Sequence, residues 1–175
     1  LMQQVNSRGS FLCAQVCLPH LLNAPNPHIL TLCPPPSLDP KWWGPHTAYT
    51  LAKMGMSFVT LGLAAEFGPQ GVAVNALWPR TLIATDALNM IPDVQAGNGR
   101  SPAIMADAAH AVLVRPAAGF SGHFLIDEDV LRQGASPTFP ATRWTRPSPC
   151  CRISMSSHEA RGVGSCADPP MEHSV

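Results

Sequence analysis

The amino-acid sequence predicts an α/β fold built around a parallel β-sheet. Two kinds of segment alternate along the chain: long stretches with apolar residues at helical spacing, and short runs of nearly continuous apolar residues. Such short runs are typical of strands buried on both faces, as in a parallel sheet. Proline and glycine separate the segments, and the order helix, strand, helix, strand, helix, strand indicates right-handed crossover connections.

The first part of the chain contains one predicted helix and one predicted strand. Apolar residues at helical spacing predict a helix over residues 2–22, and Pro25 with its neighbours ends it. The apolar run 28–33 then predicts a buried strand, which the three prolines at 34–36 terminate. The following loop, residues 34–47, contains too many prolines and glycines for a regular element.

The middle of the chain contains two adjacent tryptophans, the longest helix and the remaining strands. Trp42 and Trp43 either line a pocket or cover the core, and both alternatives stay open. The other predicted elements are a helix over residues 47–67, a strand over 72–78, a helix over 101–114 and a strand over 122–127.

The composition excludes some classes of partner. The 175 residues include 11 lysines and arginines against 11 aspartates and glutamates, so the formal net charge is zero. A neutral chain has no electrostatic attraction for nucleic acid or an anionic membrane, and a small uncharged substrate suits it better. No uninterrupted apolar stretch approaches the roughly 18 residues of a membrane span, and we find no basic-then-apolar leader. We therefore expect a soluble intracellular protein.

The six cysteines do not indicate a disulfide framework. Cys13, Cys17 and Cys33 lie on apolar segments and are expected to be small core residues in a reducing compartment. The cysteines and histidines near the C terminus lack the paired short spacings of zinc sites, so we expect no metal site. Residues 135–175 contain too few apolar residues to offset their ordering entropy and are predicted to be a disordered tail, while residues 1–134 form one partial domain.

The only tyrosine, Tyr49, precedes Lys53 by four residues on the predicted helix 47–67. This spacing puts both side chains on one helix face, where an ammonium lowers the pKa of a phenol toward the range useful for proton transfer. The alternative is a chance pair on a solvated face. Because a shuffled sequence would give this pair roughly 1% of the time, the pattern is informative without being decisive.

Five segments of the sequence carry a family pattern. They are Asn6-Ser7-Arg8-Gly9, the strand from Ile29 to Cys33, the pair Tyr49-x-x-x-Lys53, the segment Val74-Asn75-Ala76-Leu77-Trp78-Pro79, and the closing Gly122-His123-Phe124-Leu125-Ile126-Asp127. In this order they resemble the C-terminal half of a short-chain dehydrogenase/reductase, over residues 1–134. The resemblance implies the C-terminal half of a Rossmann-type doubly wound parallel sheet that lacks the N-terminal dinucleotide-binding strands.

The resemblance also implies roles for individual residues. In that family the tyrosine transfers a proton to or from the substrate oxygen while NAD or NADP exchanges hydride, which would be the role of Tyr49. The lysine lowers the pKa of the tyrosine and hydrogen-bonds the nicotinamide ribose, which would be the role of Lys53. Asn6 matches an asparagine that supports a proton-relay water, although a buried amide bonded to the backbone is the alternative.

The sequence also departs from the family pattern. The serine that holds the substrate oxygen would fall within residues 33–36, which offer no hydroxyl, and Ser37 is the nearest substitute. Arg80 stands where a glycine usually follows the proline, and no glycine-rich phosphate-binding turn follows a strand. The candidate catalytic residues are Tyr49, Lys53, Asn6 and Ser37, and the candidate cofactor-binding residues are Lys53, Tyr49, Pro79, Thr81 and Thr85.

Three hypotheses follow. The chain is the catalytic half of an oxidoreductase that acts on an apolar carbonyl or alcohol with NADP or NAD, truncated and inactive alone. In the second hypothesis, the chain is a non-enzymatic truncated isoform or degenerate copy that binds a partner through helices 2–22 and 47–67. The resemblance implies homo-oligomers, because family members often associate through the corresponding pair of helices. In the third hypothesis, the chain is an unstable translation product, which is suggested because its first residue is Leu1 rather than methionine. The resemblance implies the peroxisome or the mitochondrion, with the cytoplasm as the alternative.

Overall fold

The computed structural model of the chain describes residues 1–44, 46–90 and 99–133. Within these ranges the helices are α1 (Gly9–Leu21), α2 (Thr47–Phe67), α3 (Ala103–Leu113) and α4 (Asp127–Gln133), and the strands are β1 (His28–Thr31), β2 (Ala73–Trp78) and β3 (Phe124–Ile126). The predicted tail, residues 135–175, lies outside the described residues.

The three strands form one parallel sheet in the order β1-β2-β3. Ile29 of β1 pairs with Val74 of β2, and Leu77 of β2 pairs with Leu125 of β3. α2 connects the first two strands and α3 connects the last two, as the sequence predicts for crossover units. The prediction of an α/β fold with a parallel sheet is confirmed.

The central strand β2 separates two apolar cores. Side chains alternate across a strand, so Val74 packs with α1 and α2 on one face while Leu77 packs with α3 and α4 on the other. The first core contains Ala14, Leu18, Leu63, Ala64, Val72 and Val74, and the second contains Leu77, Ala108, Val112 and Val130. Helices cover both faces of the sheet, which is the doubly wound arrangement.

A buried amide fixes the third strand against the second. Asn75 of β2 is fully buried, and its Nδ2 donates to the carbonyl of Phe120 at 2.8 Å. Its Oδ1 accepts from the backbone amide of His123 at 2.9 Å. Both ends of the amide are therefore satisfied, and Asn75 holds the segment that enters β3.

α1 and α2 approach each other closely at a glycine. A π-helical turn, Gln4–Arg8, leads directly into α1, and Ser7 in this turn donates from Oγ to the carbonyl of Ala52 on α2 at 2.9 Å. A Cβ added to Gly55 would lie 2.1 Å from that Oγ. The contact therefore requires glycine at position 55.

Some predictions need correction. β1 ends at Thr31 rather than at Cys33, and neither α4 nor the π-helical turn was expected. Cys33 is buried as predicted, but Cys13 and Cys17 are exposed, because Ala14 and Leu18 take the buried face of α1. None of the helices formed by the described residues combines the length and apolar character that crossing a membrane demands.

The glycines of α2 give a test of the helix contact. Gly62→Ala meets open space and should raise the free energy of unfolding by up to about 1 kcal/mol, because alanine favours the helix. Gly55→Ala has the same propensity gain but must displace Ser7 and break its hydrogen bond to Ala52. We expect it to be less stable than Gly62→Ala by at least about 1 kcal/mol in urea titrations followed by circular dichroism. Equal stability of the two variants would contradict the contact.

Candidate active site

Three hydroxyl side chains hold the first half of α2 against the loop that follows β1. Thr47 donates to the carbonyl of Trp43 at 2.8 Å, and Thr50 donates to that of Trp42 at 2.6 Å. Ser57 donates to the carbonyl of Pro34 at 2.7 Å. These short side chains let the helix lie close to the backbone, so its first three turns are placed beside the carboxyl edge of the sheet, where open α/β sheets bind ligands.

Tyr49 lies on this part of α2, one turn before Lys53. The side chain is 47% exposed, and the burial of the rest raises the pKa of the phenol above its ordinary value. The net direction in the chain by itself is therefore opposite to the one that the Lys53 ammonium would favour. Partial removal from water disfavours the phenolate, and that effect decides the direction.

The ammonium of Lys53 lies near two uncharged groups, a thioether and an aromatic ring. Its Nζ lies 3.8 Å from the sulfur of Met56 and 5.9 Å from the centroid of the Trp78 ring, at the carboxyl end of β2. Burial lowers the pKa of the ammonium, while electrostatic interaction with Cys33 acts in the opposite direction. Among residues 1–44, 46–90 and 99–133, no carboxylate forms an ion pair with Lys53.

Asn6 lies in the π-helical turn and is half-buried. Its Nδ2 donates to the carbonyl of Met2 at 3.0 Å, within its own helix, so the amide is bonded to backbone without being fully buried. The neighbouring Ser7 bonds to Ala52, which places this turn beside the segment of α2 that carries the pair. A π-helical turn disrupts the helical hydrogen-bond ladder and frequently marks functional sites.

The residues after β1 do not supply an evident substitute for the family serine. Cys33 is fully buried with its sulfur 3.8 Å from Oγ1 of Thr60, and burial raises the pKa of the thiol. Ser37 is half-buried, and its Oγ accepts a hydrogen bond from the backbone amide of Asp39 at 3.3 Å. The hydroxyl of Ser37 therefore stabilises a local turn. None of the hydrogen bonds of Ser37 in the described structure involves Tyr49.

The candidate cofactor-binding residues after β2 differ in exposure. Pro79 follows β2 directly and is half-buried. Thr81 is 8% exposed, and its buried Oγ1 has no hydrogen-bond partner among the described residues. Thr85 is exposed, and its carbonyl accepts from the amide of Leu88 at 3.0 Å. Thr81 is thus the threonine with an unsatisfied buried donor.

A cluster of charged residues beside this segment was missed by the sequence analysis. The backbone amide of Arg80 donates to Oδ1 of the buried Asp127 at 2.9 Å, and its guanidinium pairs with Glu128 and Asp129. Glu128 also pairs with Arg100 at 2.9 Å. Arg80 is therefore not simply solvated, and it ties the ends of β2 and β3 together. No local signal shows these contacts, because Arg80 lies 47 and 49 residues from Asp127 and Asp129, and Arg100 is also far from Glu128 in the sequence.

Three further contacts could not be read from the sequence. A Cβ at Gly99 would lie 2.6 Å from the backbone nitrogen of Ala84, and Arg100 pairs with Ile83 as an isolated parallel bridge. Trp78, whose ring faces Lys53, was expected only as the last residue of a strand. The one available signal is its position directly before Pro79, at the ligand-binding edge.

Comparisons with known proteins agree with this arrangement. The family model described as "Enoyl-(Acyl carrier protein) reductase", adh_short_C2, matches residues 1–116. The chain is 50% identical over 134 residues to hydroxysteroid dehydrogenase-like protein 2 of Danio rerio, an alignment that covers 76% of this chain and 32% of that protein. The protein of that name from Homo sapiens is 43% identical over 141 residues, covering 79% of this chain and 33% of its own length.

Two solved structures share both sequence and fold with the chain. A crystal structure of a Xanthomonas campestris protein is 78% identical with a TM-score of 0.75, covering 77% of this chain and 49% of that one. A short-chain dehydrogenase from Mycobacterium thermoresistibile is 43% identical with a TM-score of 0.70, covering 78% and 49%. The chain therefore spans about a third of the length of its curated relatives and about half that of the solved structures.

The resemblance to the short-chain dehydrogenase/reductase family predicted from the five sequence segments is confirmed. The doubly wound parallel sheet and the sequence matches indicate the same family. This chain belongs to the short-chain dehydrogenase/reductase family.

Proposed function

We propose that the chain carries the catalytic half of an NAD(P)-dependent oxidoreductase that interconverts an apolar carbonyl compound and its alcohol. The observation that carries this proposal is the placement of Tyr49 and Lys53 one turn apart on α2, with the Lys53 ammonium reaching Trp78 at the carboxyl end of β2. That is the edge at which parallel sheets of this class bind nucleotides. Family membership supports the reaction class.

The residues at this edge fit the nicotinamide end of a dinucleotide. Oγ1 of Thr81 is buried without a partner, so a carboxamide there would satisfy it. The ammonium of Lys53 has no carboxylate among the described residues, so its N–H groups are available for ribose hydroxyls. Pro79 and Thr85 lie on the same segment and are proposed to line the same pocket.

The protein's own part in the reaction is proton transfer and orientation. When bound, NAD or NADP supplies or accepts the hydride. Tyr49 donates the phenolic proton to the carbonyl oxygen in the direction of reduction and takes it back in oxidation. Lys53 stabilises the phenolate once bound ligands exclude water and strengthen their electrostatic interaction. Asn6 and Ser37 are proposed to assist, Asn6 through a proton-relay water and Ser37 by binding the substrate oxygen.

The chain by itself is proposed to be a truncated, inactive form. The described strands β1, β2 and β3 have no glycine-rich turn after them, so the described residues lack the amides that would cradle a pyrophosphate. Without those contacts most of the nucleotide affinity is lost. By resemblance alone, NADP or NAD is proposed as the cofactor, and the peroxisome or mitochondrion as the compartment.

A second candidate function is association through α1 and α2. Both helices expose large apolar side chains, including Phe11 at 45% and Phe58 at 54%. A shallow groove between the helices is lined by Phe11, Gly55, Phe58, Val59, Gly62, Leu63 and Glu66. Contiguous exposed apolar surface of this kind marks protein interfaces, and a second copy of the chain is the proposed partner.

Nucleotide titration tests the proposal for the chain alone. We expect no micromolar binding of NADPH or NADH when nicotinamide fluorescence is followed during titration of the whole chain, because the pyrophosphate contacts are missing. Micromolar binding with turnover would show that these residues suffice and would contradict the inactive form. A circular dichroism melt of the same sample should show a cooperative transition, and its absence would favour an unstable product.

The role of Tyr49 can be tested in a longer protein that joins this chain to the glycine-rich half of the fold. Tyr49→Phe should lower kcat by about 10²- to 10⁴-fold with little change in the nucleotide Kd, because the proton donor is removed while the aromatic ring stays. Lys53→Met should impair both kcat and nucleotide binding. Lys41→Met is the matched control, since Lys41 pairs with the exposed Asp39, and it should change neither. Unchanged turnover in Tyr49→Phe would reject the assigned role.

The association surface gives a separate test. Phe58→Arg should convert a dimer to a monomer in light scattering coupled to size exclusion, because it places a charge in the apolar groove. Leu113→Arg is the control, as Leu113 has a similar exposure, 42%, on α3. A wild-type chain that is monomeric at every concentration, or an unaffected dimer in Phe58→Arg, would exclude this surface.

A further inference from the structure

The ammonium of Lys53 is partly withdrawn from water, and none of the carboxylates in the described ranges forms an ion pair with it. Its contacts are the sulfur of Met56 at 3.8 Å and the face of Trp78, 5.9 Å from the ring centroid. Cations are attracted to aromatic faces within about 6 Å of the centroid, and tryptophan is the most favourable ring. A half-buried charge needs some compensating interaction, and in the described structure these two groups are placed to give it alongside the electrostatic interaction with Cys33.

The position of Trp78 follows from the sheet. Trp78 is the last residue of β2 and pairs in register with Ile126 of β3. Alternation along β2 puts its side chain on the same face as Val74 and Ala76, which pack against α2. The regular geometry of β2 therefore places the Trp78 ring beside the face of α2 that carries Lys53.

We propose that Trp78 is a positioning residue for Lys53: its ring face, together with the sulfur of Met56, holds the ammonium at the carboxyl end of β2. This proposal rests on the proposed function, in which Lys53 serves the nucleotide and the phenol. A carboxylate in the same place would bind the ammonium N–H groups by strong directional hydrogen bonds. A ring face and a thioether attract the charge but compete weakly for those donors, so the donors stay available to a ligand.

In the part of the chain that the structure describes, few titratable groups face Lys53. Tyr49 lies one turn earlier on α2. Cys33, in the segment after β1, interacts electrostatically with Lys53 and acts to raise the pKa of the ammonium. From β2 the facing group is the uncharged Trp78. Removal of the ring should therefore change the electrostatics of Lys53 without changing any formal charge nearby.

The chain is well suited to a direct measurement, because it has two lysines, Lys41 and Lys53. Reductive methylation with ¹³C-formaldehyde labels both lysines and the N-terminal amine, and Lys41→Arg and Lys53→Arg together assign the signals in the titration of ¹³C shifts against pH. Trp78→Leu should lower the pKa of Lys53 by about 0.5 to 1 unit, because the ring stabilises the charged form. Trp78→Phe keeps a weaker ring and should give a smaller decrease.

Trp42→Leu is the matched control. Lys41 lies 5.4 Å from the centroid of the Trp42 ring, so the chain contains two lysine–tryptophan pairs, and loss of the Trp42 ring should leave the Lys53 titration unchanged. If Trp78→Leu does not fold by circular dichroism, Trp78→Phe and Met56→Leu carry the test, and each should lower the Lys53 pKa. A Lys53 pKa that is the same in folded Trp78 and Met56 variants as in the parent would overturn the proposal.

The measurement is separate from the proposed function, because it needs no nucleotide. A decrease in the Lys53 pKa supports the positioning contact even where the longer protein fails to bind NAD or NADP, which would count against the proposed function only. In a longer protein that does bind the nucleotide, Trp78→Leu should raise the nucleotide Kd about tenfold and Trp42→Leu should not. An unchanged Kd there would overturn the positioning role.

Discussion

The attachment of the first half of α2 to the carboxyl edge of the sheet is the constraint on which the rest of the structure depends. Hydroxyl groups of Thr50 and Ser57 bond to backbone carbonyls of the loop after β1, and Gly55 lets the π-helical turn lie directly against the helix. Each contact is short because each side chain is small. Longer side chains at these positions would lift the helix from the sheet, and Tyr49, Lys53 and Asn6 would no longer meet one region of the fold.

This attachment places the proposed catalytic pair, Tyr49 and Lys53, without coupling the two groups electrostatically. Burial raises the pKa of the Tyr49 phenol and lowers that of the Lys53 ammonium, so in the chain alone each group is pushed toward its neutral form. An acidified phenol needs the ammonium as its dominant neighbour, and the ammonium instead lies against Trp78 and Met56. The structure therefore places both groups, and in the proposed function the acid–base chemistry of Tyr49 and Lys53 is completed by the ligands that bind there.

The sequence predicted the helices and strands that can be recognised from the spacing of apolar residues and from the prolines and glycines that end them. The helix 47–67 was predicted with its observed bounds because glycine and proline mark its end, and the buried strands were visible as apolar runs. The long-range contacts could not be predicted. The cluster of Arg80, Glu128 and Arg100, the Gly55–Ser7 contact and the ring of Trp78 beside Lys53 each join residues far apart in the chain, and no local pattern encodes them.

The state of the phenol is the most direct test of this account, and the presence of a single tyrosine makes it measurable. Ultraviolet absorbance of tyrosinate during a pH titration of the whole chain reports Tyr49 alone, with circular dichroism at each pH to confirm that the fold persists. The account predicts an apparent pKa above about 10, the ordinary value, and no change of that pKa in Lys53→Met. A pKa below the ordinary value in the free chain, raised again by Lys53→Met, would show that the pair is already coupled and would contradict it.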